Sequence, residues 1–125
     1  MENLLNSSLE TGQAAEQAAC RYLNNQGFRL VTRNFRSRRG EIDLIMQKDE
    51  ILAFVEVRCR NSQDYGGALQ SITRAKQRKI IAAARYFLHH HPRFADMAVR
   101  FDVVAAQLHN NNWQIDWIPA AFLAE

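Results

Sequence analysis

Two short β-prone runs, each with a carboxylate set among apolar residues, constrain this chain more than any other feature. The first is Gly40-Glu41-Ile42-Asp43-Leu44-Ile45 and the second is Phe54-Val55-Glu56-Val57-Arg58-Cys59-Arg60. The polar Lys48-Asp49-Glu50 lies between them and is short enough to be a hairpin turn. Folding the chain there sets Asp43 almost opposite Glu56 on adjacent antiparallel strands, with side chains roughly 5 Å apart if they share a face. An ionised carboxylate in such surroundings is costly to bury without a cation or a donor. Two that close repel, so the hairpin predicts something positive between them, and a divalent metal is the most economical candidate.

At 125 residues the chain is long enough for one core and too short for two, so the whole of 1–125 reads as a single domain with its core at about 8–118. An apolar fraction of 47% excludes a disordered chain. No apolar stretch approaches a membrane span, and the start Met1-Glu2-Asn3 has neither the basic nor the apolar part of a signal peptide. Cys20 and Cys59 lack metal-type spacing and read as reduced thiols of a cytoplasmic protein. The net charge of +3 conceals an asymmetry. Residues 29–79 hold twelve Lys and Arg against six Asp and Glu, a balance of +6, and the remainder holds four against seven, a balance of −3. Positive charge thus surrounds the carboxylates, where it would steer a polyanion.

Ser8 to Gln26 has apolar residues at helical spacing and Gly27 as its stop. Phe28 to Arg33 alternates as a strand, and Asn34 to Arg39 is a basic loop. Glu41 to Gln47 and Ile51 to Cys59 are the hairpin strands, the second apolar enough to be central. Asn61 to Gly67 is a polar loop with paired glycines. Thr73 caps a second helix that runs to about His90, and Pro92 ends it. Ala98 to Gln107, with Val99, Phe101, Val103 and Ala105 on one face, and Trp113 to Ile118 are strands joined at Asn110-Asn111-Asn112; Pro119 onward is a short apolar tail. The order α-β-β-β-α-β-β predicts an α/β fold with helices around a mixed sheet.

Strand alternation puts Glu56 and Arg58 on one face, and Glu41, Asp43 and Ile45 on one face of the partner strand. Hard oxygen ligands of this kind suit Mg²⁺ or Mn²⁺, which one or two carboxylates normally hold. Such an ion acidifies water and offsets charge on a phosphodiester, and a nearby cation serves the growing phosphoryl charge. Several other residues have plainer readings. Glu41 pairs with Arg38 or Arg39 at the strand entry, and Asp102 pairs with Arg100 or Arg85. His89-His90-His91 is a solvated helix end favoured by the dipole, and Trp113 and Trp117 are core or interface.

The pattern Gly12-x-x-Ala15-Glu16-x-x-Ala19, Gly27-Phe28, Asn34-Phe35-Arg36, Gly40-Glu41-Ile42-Asp43-Leu44-Ile45, Phe54-Val55-Glu56-Val57-Arg58, Lys76 and Arg100-Phe101-Asp102-Val103 resembles the YraN-like family of small bacterial proteins, over roughly residues 8–105. That family is similar to the restriction-endonuclease-like superfamily with its PD-(D/E)xK signature, and especially to Holliday-junction resolvases. The resemblance implies a restriction-endonuclease-like three-layer sandwich. It implies Asp43 as the signature aspartate, Glu56 as the second acid, Arg58 at the position usually held by lysine, and Glu16 on the first helix as a further acid. The metal set it implies is Asp43, Glu56, Glu16 and Val57, with Lys76 on the second helix as a supplementary ammonium. Two departures stand out. Ile42 takes the place of the proline, and Arg58 stays protonated at any physiological pH and so cannot act as a base.

The sequence therefore leads to the expectation of a Mg²⁺- or Mn²⁺-dependent phosphodiesterase acting on DNA, structured or branched, with Arg33, Arg36, Arg38, Arg39, Arg60 and Lys79 tracking the backbone by charge. The alternative keeps the fold and drops the chemistry, leaving a nucleic-acid-binding module. A protein-interaction module is a third. Opposed strands of a junction need two active sites, so a homodimer is a further expectation, with Trp117 and Ala120 to Leu123 as the places to look for its interface.

Overall fold

The computed structural model describes residues 4–59 and 71–124, the side chains from residue 11 onward. The expected loop at Asn61 to Gly67 and the expected backbone contact of Arg60 lie outside the described residues. Helix α1 spans Leu4–Asn25, followed by β1 (Arg29–Arg36), β2 (Glu41–Lys48), β3 (Ile51–Cys59), α2 (Arg74–His90), a single 3-10 turn at Pro92–Phe94, β4 (Ala98–His109) and β5 (Asn112–Phe122). The strands form one open sheet in the order β1-β2-β3-β4-β5. All neighbours are antiparallel except β3 and β4, which α2 links as a parallel pair. The chain is an α/β protein with three layers, and among the described residues the elements follow the expected order.

Each helix covers one face of the sheet. On α1, Ala15, Ala18, Ala19, Cys20 and Leu23 are buried, and the small residues let the helix lie close on Leu44, Met46, Ala53, Val55 and Val104. On α2, Ile80, Ile81, Ala83, Ala84 and Phe87 pack on Ile42, Ile45, Leu52, Phe54, Phe101 and Val103. Both surfaces of β3 are thus covered, which is why its sequence is a nearly continuous apolar run. Thr73 caps α2, its hydroxyl accepting the Lys76 N–H at 3.1 Å. Gly27, at φ 97°, ends the first helical unit in a conformation that favours glycine.

Several boundaries differ from expectation. Strand β1 runs on to Arg36, so Asn34 to Arg36 continue the edge strand that holds Arg33 rather than opening a loop, and the loop shrinks to Ser37–Gly40. Val99, at the start of β4, keeps regular register with β3 but is 39% exposed, so the buried part of that face begins at Phe101. The tail expected from Pro119 belongs to β5. Strand pairing skips at Asp102, where the buried carboxylate accepts the Ala120 N–H at 3.0 Å, and Ala120 adopts φ 50° before Phe122 rejoins Phe101. A side chain here does the work of a ladder carbonyl, so the strand survives a proline that sequence rules treat as a stop.

Candidate functional site: a carboxylate pair at a break in the sheet

The pairing of β2 with β3 runs from Lys48↔Ile51 to Leu44↔Val55. Both strands continue, β2 back to Glu41 and β3 on to Cys59, but the ladder does not. At the point of separation the Asp43 carboxylate accepts the Val57 N–H at 2.8 Å, holding the parted strands together with a side chain. Alternation breaks at the same place. Ile42 and Ile45 both lie in the cluster facing α2, while Leu44 faces α1. The expectation that Glu41, Asp43 and Ile45 share a face therefore fails by one local irregularity. Glu41 is exposed and pairs with Arg36 at 3.7 Å rather than with Arg38 or Arg39.

The expected acids and cations do meet at this break. Glu56 is 5% exposed. Its Oε2 lies 3.7 Å from an Arg58 terminal nitrogen and 3.6 Å from the Lys76 ammonium, which α2 lowers from the far side. Neither contact is a hydrogen bond. Among the described residues, Glu56 Oε2 and Arg58 Nε are the two buried side-chain polar atoms without a hydrogen-bond partner. Burial, and then the neighbouring Asp43 carboxylate, raise Glu56 to about 8, while Lys76 and Arg58 act in the opposite direction without cancelling that rise. Glu16, on α1, is raised as well, first by burial and then by the charge of Asp43; a hydrogen bond with Asn34 and the charges of Arg33 and Arg36 pull it back.

A second buried acid shows what a structural carboxylate looks like in this fold. Asp102 is fully buried, yet it accepts from Arg100 at 2.8 and 2.9 Å, from Trp117 Nε1 at 3.0 Å and from the Ala120 N–H. It pairs with Arg100, one of its two expected partners. Trp117, partly buried, also packs edge-on against Tyr22 and Phe28 at the margin of the core under α1. Where this protein needs a buried acid for stability it satisfies every oxygen. At Glu56 it does not, and a buried polar atom left unpaired calls for a physical reason.

The donor set fits a hard divalent cation. Two carboxylates stand together, one has an orphaned oxygen, and a positive ion between them would reverse the rise at Glu56. Among the described residues no three His, Cys, Asp or Glu side chains gather closely enough to enclose an ion. The arrangement suits Mg²⁺, which keeps waters and substrate oxygens in its shell, better than a closed Zn²⁺ site. Glu16 stands near enough to feel Asp43 but outside any such cluster. Val57, expected in the metal set, follows Glu56 on β3 with its N–H committed to Asp43.

The cations expected on the nucleic-acid surface divide into two groups. Arg33 and Arg36 lie on β1 near Glu16. Arg38 and Arg39 are on the turn beside α2, where a Cβ on Gly40 would come within 2.6 Å of the Lys79 carbonyl oxygen. Sequence reasoning missed how tightly that turn seats on the helix; the glycine between Arg39 and Glu41 was the available signal. Cys20 and Cys59 are free thiols, as expected. No described helix is long and apolar enough to cross a membrane.

Fold and site together define a small three-layer α/β protein with an under-satisfied carboxylate pair where its central strands part. The chain belongs to the family described as "Uncharacterised protein family UPF0102", the YraN-like family, which it matches over residues 15–106. It is 50% identical over 122 residues to a UPF0102 protein of Aeromonas hydrophila, covering 97% of this chain and 91% of that one. A UPF0102 protein of Alcanivorax borkumensis is 45% identical over 123 residues, with 98% of each covered. One of Pseudomonas fluorescens is 44% identical over 116 residues, 93% of this chain and 95% of its own.

Proposed function

We propose that the chain is a Mg²⁺- or Mn²⁺-dependent phosphodiesterase of the restriction-endonuclease-like superfamily, acting on DNA, with structured or branched DNA as the preferred class. The observation that carries this reading is the buried, unpartnered Glu56 oxygen beside Asp43, with the unpartnered Arg58 Nε two residues along. When bound, the cation supplies charge neutralisation at the phosphate and acidifies water. Asp43 and Glu56 would hold it. Asp43 is fixed for that role by the Val57 N–H, and Glu56 by burial in the central strand.

Arg58 and Lys76 counter the charge of Glu56 in the resting protein, and they are partly exposed, at 34% and 37% of their side chains. Contacts of 3.6–3.7 Å leave both free to turn toward a phosphate oxygen. Arg58 offers a planar fork of donors to the developing phosphoryl charge but cannot accept a proton. Proton acceptance therefore falls to a carboxylate or to substrate, and Glu16, with its raised pKa, stands beside Asp43 for it.

One observation favours a second reading, the nucleic-acid-binding module without chemistry: two cations already face Glu56, as in a metal-free ion network. The missing hydrogen bonds weigh against it, because a structural network closes them, as Asp102 does. The test is incubation of four-way junctions, flaps and linear duplex with wild type and Asp43→Asn in Mg²⁺ or Mn²⁺. Cleavage by wild type alone supports the enzyme. Equal cleavage by both proteins removes the catalytic assignment, and salt-sensitive binding without cleavage transfers the fold to the second reading.

A further inference from the structure

A second basic feature lies outside the carboxylate site. Arg39, Ala82, Arg85, Tyr86 and His89 line a surface cleft of about 280 Å³ on the flank of α2, and none of these lining residues is acidic. Three elements of its construction are fixed. The Ser37–Gly40 turn is closed by the Ser37 N–H to Gly40 carbonyl bond at 3.0 Å, and the Ser37 hydroxyl accepts the Arg39 N–H at 3.2 Å. Gly40 seats that turn against the Lys79 carbonyl so closely that no Cβ fits, which anchors the Arg39 backbone beside α2. Tyr86 is held between Phe35, at 6.2 Å, and His90, stacked at 4.2 Å.

The three consecutive histidines divide by role. His90 Nδ1 and His91 Nδ1 lie 2.9 and 2.8 Å from the carbonyls of Tyr86 and Phe87. A carbonyl only accepts, so both nitrogens carry the proton and both rings close the end of the helix. His89 lines the cleft instead.

We propose that this cleft binds a backbone phosphate of the DNA duplex outside the reaction centre, with Arg39 and Arg85 supplying charge and His89 a ring N–H. The inference rests on the phosphodiesterase reading and extends it from a reaction centre to a footprint. Two guanidiniums and an imidazole lining one small cleft match a single phosphodiester anion. The cleft also lies on the same helix as Lys76. From Lys76 to Arg85 is nine residues, roughly two and a half turns and about 13 Å along the axis, so the cleft lies on another side of the helix from Lys76 and is a contact separate from the reaction centre. Lys79 stands between them on the same helix.

The test uses the full chain and a 20-base-pair DNA duplex, with binding followed by fluorescence anisotropy from about 50 to 200 mM KCl in chelator. Losing one phosphate contact lowers the slope of log affinity against log salt by about 0.9. Arg39→Ala and Arg85→Ala should each bind more weakly than wild type, with a deficit that shrinks about 3.5-fold across that salt range. Arg93→Ala, which removes an exposed charge beyond the helix that lies over the Phe94 ring, should keep the wild-type slope. Calorimetric Mg²⁺ binding without DNA checks that the carboxylate pair is intact in each variant. Wild-type slopes in both cleft variants would overturn the cleft while leaving the enzyme reading standing. A wild-type protein that binds no DNA would overturn both.

Discussion

Replacing Glu56 by glutamine should change how stability depends on pH, and the size of the change follows from the burial of that carboxyl. Glu56 titrates near 8 in the folded, metal-free protein, raised from 4.5 first by burial and then by Asp43. A folded pKa above the unfolded one contributes stability that is full below about 4.5 and is lost as pH rises through 8. One unit is worth about 1.4 kcal/mol. Between pH 5 and 8, wild type should therefore lose on the order of 3 kcal/mol relative to Glu56→Gln, whose amide keeps the shape and cannot ionise. For a domain of this length that is roughly 10 °C in Tm. The assay is thermal denaturation of both proteins at half-unit pH steps in chelator, repeated with saturating Mg²⁺. Taking the difference between the two proteins removes the titrating groups that do not touch Glu56 and leaves the carboxylate pair. With Mg²⁺ the loss should vanish, because the ion favours the ionised carboxylate. Parallel pH profiles for the two proteins in chelator would refute the reasoning, as would a pH-dependent gap that Mg²⁺ leaves unchanged.

Four further outcomes follow from the same geometry. Mg²⁺ binding at pH 7 should release protons, up to about one per ion, seen as a buffer-dependent calorimetric enthalpy; Asp43→Asn should abolish the binding yet keep the fold, since its amide oxygen can still accept the Val57 N–H. Arg58→Ala should reduce cleavage about 10²–10³-fold with little change in DNA affinity, and Arg58→Lys should recover part of the rate. Asp102→Ala should destabilise by about 3–5 kcal/mol in denaturant titration, because it strands Arg100 and the Trp117 N–H together. Gly40→Ala should lower stability by about 1–3 kcal/mol by forcing the turn off the Lys79 carbonyl.

The element order and the central place of β3 were legible because they rest on periodicity, and the hairpin brings Asp43 to Glu56 because Asp49 and Glu50 leave no other way to connect two apolar runs. Glu56 and Arg58 share a face through simple alternation, and the ion pair at 3.7 Å bears this out. The failures lie where a side chain replaces a backbone group. Asp43 takes a ladder position at Val57, so alternation slips at Ile42, and Asp102 takes another at Ala120, so β5 passes Pro119. Neither substitution has a local sequence signature, since an aspartate in a strand looks the same whether it faces water or a neighbouring N–H. The contact of Lys76 with Glu56 needed the tilt of α2 over β3, which helical spacing alone does not give. The role of His89 likewise emerged only when His90 and His91 were found bonded to the helix.

The central claim is that Asp43 and Glu56 form a divalent-cation centre, and a crystal grown with Mn²⁺ at pH 8 and measured near the manganese absorption edge tests it most directly. The account predicts an anomalous peak between the two carboxylates, within about 2.0–2.3 Å of an oxygen from each, with the Glu56 oxygen no longer orphaned and Lys76 drawn away from it. Data from such a crystal with no peak there, and with Lys76 and Arg58 closed onto Glu56 by hydrogen bonds, would contradict it.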